Sequence, residues 1–214
     1  MQINLISYTP NAIEALQSSI GNCYDKKVGE KGIEHCIKSG HHSVLEFVDF
    51  HFHIEGVSRA LLAQLTRHRM ASYAVRSQRY CVEDGFNFIT PDSVYCNQNH
   101  PELLGEYLEI MDRIRYFYEH MVKKGIPAED ARYILPNATE TIIDMKINLR
   151  SLLNFMNLRL CTRSQWEIRE LANRMRDEIS LIYPIFSTYM EPKCVSMGWC
   201  NETKSCGYFA NREG

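Results

Sequence analysis

The segment Arg67-His68-Arg69-Met70-Ala71-Ser72-Tyr73-Ala74-Val75-Arg76-Ser77-Gln78-Arg79-Tyr80 concentrates residue types suited to holding small anions. From Gly56 to Val82 there are five arginines (Arg59, Arg67, Arg69, Arg76, Arg79) and no lysine, aspartate or glutamate. A guanidinium presents a rigid fork of donors that meets two phosphate oxygens at once, whereas an ammonium acts as a point charge. Ser72 and Ser77 add short hydroxyl donors able to complete such a cage. A solvated basic face would use the same arginines, but it has no need of the uneven spacing or of the interleaved serines and aromatics. In a chain of formal net charge −2, the segment reads as a pocket for anions.

A second constellation runs from Asn148 to Arg159. Arg150, Asn154 and Asn157 fall at helical spacing as a polar stripe, while Leu149, Leu152, Leu153 and Phe155 can face a core. A solvated helix face is the plainer reading of such a stripe. Asparagine is a poor helix former, however, and three of them in ten residues (Asn148, Asn154, Asn157) suggest amides kept for hydrogen bonding. None of the eleven glycines forms a Gly-x-Gly-x-x-Gly turn or a P-loop, so nucleotide phosphates would fall to the arginines.

Arg67-His68-Arg69, seven residues, Ser77 and then Arg79 resembles the signature of the flavin-dependent thymidylate synthases. Gln64, Arg132 in Ala131-Arg132-Tyr133-Ile134-Leu135-Pro136, the Asn148–Arg159 block and Gln165-Trp166-Glu167 fit the same family, so the resemblance spans residues 30 to 190 in separate blocks. It implies reductive methylation of dUMP to dTMP, with methylenetetrahydrofolate as carbon donor and NADPH, by way of FAD, as hydride source. It implies flavin contacts from Arg67, His68, Arg69, Asn148, Arg150 and Asn154. Gln64, Arg76, Ser77, Arg79 and Arg132 would hold the nucleotide and its phosphate. Arg159 would bind the uracil and polarise it, with no enzyme nucleophile. The family assembles as homotetramers with shared active sites. Two departures stand out: Phe47 follows Glu46 where members often carry histidine, and Ala74 and Val75 occupy positions commonly held by Asn and Glu. Phe47 can stack but neither donates a proton nor a hydrogen bond.

Other functions use the same residues differently. A flavin-dependent nucleotide hydroxymethylase would share the site. A nucleic-acid-binding module would use the arginines to track phosphates and Tyr73, Tyr80 and Phe86 to stack bases, but a pI near 6.4 speaks against it, since such domains are usually basic. We therefore expect no nucleic-acid partner. His35, His41, His42, His51 and His53 lack the spacing of a helical ligand pair, and we expect no metal there. Cys194, Cys200 and Cys206 are spaced too widely for an ordinary zinc knuckle and are expected to stay as reduced thiols.

The elements that must position these residues are legible in outline. Gln2 to Tyr8 reads as a strand, and Thr9-Pro10 as the cap and first residue of a helix running towards Ser19. A short helix is expected from Ile33 to Ser39. Glu46 to Ile54 alternates as a half-buried strand, with Val48, Phe50, Phe52 and Ile54 on one face. Ser58 caps a helix through Leu65, and Met70 to Tyr80 shows neither period and reads as a loop. A long helix follows from Asn99-His100-Pro101 to Gly125, with Leu104, Tyr107, Met111, Ile114 and Phe117 as its apolar stripe. Pro127–Ile134 reads as helix, Thr139–Ile147 as strand, Asn148 as the cap of a helix to Arg159, and Ser164 as the start of a last helix to Tyr189. These predict an α+β fold (an α/β-type single domain) with a mixed or antiparallel sheet flanked by long helices: residues 1–190 as one catalytic domain and 191–214 as a cysteine-containing tail. At 214 residues, 45% hydrophobic and 23% charged, the composition is that of an ordinary globular protein. With no leader-like N-terminus and no apolar run of membrane length, a cytoplasmic location without membrane association is expected.

Overall fold

The computed structural model describes residues 1–211; the last three residues of the expected 191–214 tail lie outside it. Along the chain come β1 (Gln2–Tyr8), α1 (Ala12–Tyr24), α2 (Glu30–Lys38), a 3₁₀ turn (His42–Phe47), β2 (Asp49–Ser58), α3 (Arg59–Leu65) and β3 (Ala71–Val75). Then follow α4 (Asp92–Tyr95), α5 (Glu102–Lys123), α6 (Ala128–Ala131), a second 3₁₀ turn (Arg132–Ile134), β4 (Glu140–Asn148), α7 (Leu149–Arg159), α8 (Trp166–Ile182), α9 (Pro184–Ser187) and α10 (Lys193–Met197). The four strands form one antiparallel sheet in the order β1-β2-β4-β3. The fold is α+β, as the pattern of residues predicts.

Contacts group the chain into two compact units. The first comprises residues 1–2, 54–66 and 74–143, and the second 3–53, 67–73 and 144–211 of the described chain. In the second unit the alternation of β2 works as expected: Val48, Phe50 and Phe52 are fully buried, and the Phe50 and Phe52 rings stack at 6.4 Å. Helix α7 buries Leu149, Leu152, Leu153, Phe155 and Met156 on one side, and it touches both α8 and the His42–Phe47 turn. In the first unit, α5 is the longest element and packs against α4, α6 and the Arg132–Ile134 turn.

Two polar caps decide where the site-bearing helices begin. The Ser58 hydroxyl accepts the Leu61 N–H at 3.0 Å, and the Asn148 side-chain oxygen accepts the Ser151 N–H at 2.9 Å. Each satisfies a donor that a helix start otherwise leaves unpaired.

Five local expectations need correction. Residues 71–75 form an edge strand rather than loop; Ala71, Tyr73 and Val75 are half-buried while Ser72 and Ala74 are exposed. The period is that of a strand, but alanine on both faces erases the hydropathy contrast. Thr9 does not cap α1: its hydroxyl accepts the Asp49 N–H at 2.9 Å, and α1 starts after Asn11 in a left-handed conformation. On α5 the buried residue of the last turns is Tyr118, not Phe117, because the Tyr118 hydroxyl accepts the Glu83 N–H at 3.0 Å. Glu46 and Phe47 lie in the 3₁₀ turn before β2, not in the strand. The final helix ends at Ile182, since Pro184 cannot donate to a continuing helix, and restarts as α9.

Ser58→Ala should lower stability by about 1 kcal/mol, read as a lower urea midpoint with an unchanged slope; an unshifted midpoint would remove the cap from this account.

Candidate functional site

The predicted residues separate cleanly between the units. Gln64, Arg76, Ser77, Arg79 and Arg132 belong to the first. Arg67, His68, Arg69, Asn148, Arg150, Asn154 and Arg159 belong to the second. Arg159, expected to bind the uracil, falls in the second unit with the expected flavin contacts.

In the first unit the arginines do not stand free of carboxylates as the local sequence suggests. Glu83 is buried, and both of its oxygens accept from Arg76 Nε at 3.3 Å. Arg79 Nε donates to Glu129 at 2.6 Å, and Arg132 Nε donates to the Glu129 backbone carbonyl at 3.0 Å. All three are therefore held by the inner nitrogen. Among the described residues their terminal Nη groups have no protein acceptor, which leaves the fork for an incoming anion. The Ser77 oxygen accepts the N–H of Arg79 (3.2 Å) and of Tyr80 (3.4 Å), so its own proton stays available. Gln64 is half-buried in the last turn of α3.

Arg59 joins this cluster, although the family resemblance assigns it no separate role. It is the first residue of α3; its Nη2 donates to the Arg76 carbonyl at 2.6 Å, and its Nε is buried with no hydrogen-bond partner. Burial lowers its pKa; Glu83 opposes that, and the Arg132 and Arg76 guanidinium groups add to it. The group still stays charged at neutral pH. So many cations with two carboxylates leave net positive charge, which is what a phosphate requires.

In the second unit, Arg67 and Arg69 are exposed on either side of His68, which is buried. The His68 ring meets Phe155 of α7 edge-on, with centroids 5.5 Å apart. Burial holds its pKa below the usual 6.5; the Ser151 backbone opposes this and the Arg159 guanidinium reinforces it. Tyr73 donates its hydroxyl proton to the His68 carbonyl at 2.8 Å, and burial pushes its pKa up to about 12 even against Arg159. Both shifts place the charge of Arg159 close to His68 and Tyr73. Arg159 Nε is buried without a partner, as is His68 Nε2. An unpaired buried donor costs about 1–3 kcal/mol, so such groups are commonly kept for a ligand.

The polar stripe of α7 is a mixture of roles. Asn148 spends its oxygen on the cap, and Arg150 Nη1 pairs with Glu46 at 2.6 Å in a half-exposed ion pair. Asn154 is exposed. Phe47, in the position of the expected histidine, is 66% exposed. On the sheet, His53 Nδ1 lies 2.7 Å from an Asp144 oxygen, while Asp49 pairs with Lys146 at 3.1 Å. Exposed Arg67, Arg69, Arg150 and Asn154, and the buried unpartnered nitrogens of His68 and Arg159, are groups of the kind that phosphates and ring amides bond to.

The thymidylate synthase complementing protein family matches residues 4–185. A flavin-dependent thymidylate synthase from Clostridium tetani is 38% identical over 233 aligned residues, covering 97% of this chain and 93% of its own length. Another, from Pyrococcus furiosus, is 41% identical over 181 residues, covering 81% of this chain and 73% of its own. The chain belongs to the flavin-dependent thymidylate synthase family. Its fold is shared with thymidylate synthase X of Helicobacter pylori, solved with FAD and dUMP, at TM-score 0.70 and 24% identity, covering 89% of this chain and 99% of that one.

Between the folded pKa of His68 and 6.5 the unfolded chain binds a proton that the native one does not, so stability falls as pH drops through that window. His68→Asn should flatten that part of the stability–pH curve measured by denaturation; an unchanged slope would mean that His68 does not titrate abnormally.

Proposed function

We propose that this chain catalyses the reductive methylation of dUMP to dTMP, taking the carbon from methylenetetrahydrofolate and the hydride from NADPH through FAD. The observation that carries the reading is Arg159: a guanidinium at the end of α7 with a buried, unpaired Nε, near a histidine whose pKa burial lowers and a tyrosine whose pKa burial raises. Family membership supports the substrates and cofactor.

The pyrimidine C5 is a weak nucleophile. Charge that develops on the uracil carbonyl as C5 attacks is stabilised by a donor already in place, and Arg159 fills that role at no reorganisation cost. The methylene carbon bonds to C5, which gives up its proton, the carbon's bond to the folate nitrogen breaks to release tetrahydrofolate, and one hydride completes the methyl. Bound FAD supplies the hydride transfer. Arg67, His68, Arg69, Asn148, Arg150 and Asn154 hold the cofactor. Gln64, Arg76, Ser77, Arg79 and Arg132 hold the nucleotide, its phosphate meeting the free Nη ends. The scheme needs no covalent nucleophile: no carboxylate or imidazole hydrogen-bonds Ser77 among the described residues, and covalent catalysis would need such a base.

We place catalysis in residues 1–190, in a homotetramer whose sites draw on more than one copy, working in the cytoplasm on small molecules. No helix of the described residues is long and apolar enough to cross a membrane.

The purified protein should bind FAD, visible in its absorbance, and form dTMP from dUMP. Arg159→Met should lose about a hundred- to a thousandfold in kcat at unchanged FAD content. Wild-type turnover in that variant would remove Arg159 from the chemistry, and protein unable to take up FAD would overturn the reading as a whole.

A further inference from the structure

Within the first unit, Arg76 and Arg79 are held by carboxylates, whereas Arg59 is spent on the main chain. Its Nη2 donates to the Arg76 carbonyl at 2.6 Å, across seventeen residues of sequence. With Nε buried and unpartnered, that bond is the one that orients the guanidinium among the described residues.

The base of this side chain is firmly set. Arg59 is the first residue of α3, whose start Ser58 caps. The Arg59 N–H donates to the Thr139 carbonyl at 3.0 Å, and the Ala60 N–H donates to the Asn137 carbonyl at 2.9 Å. Arg59 therefore reaches Arg76 from a backbone already tied to the segment that leads into β4.

At the other end stands the exit from β3. The Arg76 N–H donates to the Ile142 carbonyl at 3.0 Å, the last backbone bond from this stretch to β4 before the turn. Ala74 and Val75, just before it, have no polar side chain to hold the chain here. Beyond it the turn is closed on itself: the Ser77 carbonyl accepts the Cys81 N–H at 2.9 Å, and the Ser77 hydroxyl oxygen accepts from the Arg79 and Tyr80 amides. A turn braced internally moves as one piece, so its direction is set where it leaves the sheet.

That direction is fixed at the peptide joining Arg76 to Ser77. The peptide is trans, and a planar trans unit points its C=O and N–H opposite ways. Holding the Arg76 carbonyl towards Arg59 thus turns the Ser77 N–H away from it, and among the described residues this N–H has no protein acceptor. Successive main-chain N–H groups of this kind bind anions.

We propose that Arg59 is a positioning residue for the nucleotide: by gripping the Arg76 carbonyl it aims the Ser77 N–H, and with it the Ser77–Cys81 turn, at the phosphate. This rests on the reading of the cluster as the nucleotide site and adds a division of labour within it. Arg59 acts through the geometry of the turn and not as one more positive charge, so its effect belongs to the phosphate and not to the base or sugar.

The test is calorimetric binding of dUMP and of deoxyuridine, which lacks the phosphate, to the FAD-loaded protein. Wild type, Arg59→Met and Arg59→Lys are compared. Lysine keeps the charge, but its nitrogen ends one bond short of the place of Nη2. Both substitutions should cut the preference for dUMP over deoxyuridine about tenfold, with deoxyuridine affinity little changed. The loss should persist at raised ionic strength, where the contribution of a distant charge is screened. Arg59→Lys decides the matter even where Arg59→Met fails to fold. A lysine variant with the wild-type preference would overturn the proposal, because charge alone would then suffice. Equal loss of affinity for both ligands would also overturn it, as the mark of a general structural role. Either result leaves the nucleotide reading standing, whereas wild-type protein that binds dUMP no better than deoxyuridine would overturn both.

Discussion

The one-sided burial of α7 is the constraint on which the second unit's site depends. Leu149, Leu152, Phe155 and Met156 are fully buried, and together they fix the helix in rotation about its axis. Once they are packed, Arg150 and Asn154 must face outward, and Arg159 comes at the last turn, its Nε buried. The cap at Asn148 fixes where the first turn begins. Phe155 links core and site directly, because the ring that packs inward also meets His68 edge-on. A core substitution at Phe155 should therefore disturb the seat of His68 as well as the packing.

The first unit solves a different electrostatic problem. Several guanidinium groups near one another repel, and each loses hydration as it is buried. Glu83 and Glu129 relieve part of that cost by gripping Arg76 and Arg79 through Nε. This use of the inner nitrogen orients the fork without consuming its outer donors. Arg59 adds a clamp on the Arg76 carbonyl and fixes the backbone where β3 leaves for Ser77. The result is preorganisation: donors held in place before a phosphate arrives cost little to align when it does.

Much of this was legible in the residues, and what was not has physical causes. Caps at Ser58 and Asn148 are local, depending on one side chain and an amide three residues on, so sequence exposes them. The buried face of β2 is legible because large apolar residues alternate with polar ones. The strand β3 is not, because Ala71 and Ala74 look alike to hydropathy although they lie on opposite faces. Glu83 and Glu129 could not be assigned to their cluster, since those contacts bridge spans of chain that no periodicity records. The candidate site residues stand out by type, spacing and family resemblance, their partners only in the fold.

The chain's activity is the transfer of a hydride from flavin to a methylene group on a pyrimidine nucleotide. The most direct measurement is an anaerobic single turnover of NADPH-reduced protein, mixed with dUMP and methylenetetrahydrofolate and followed by flavin absorbance and product analysis. Oxidised flavin and dTMP should appear together in equal amounts, and omitting either substrate should prevent dTMP formation. Flavin that stays reduced in the full mixture, with no dTMP formed, would contradict it.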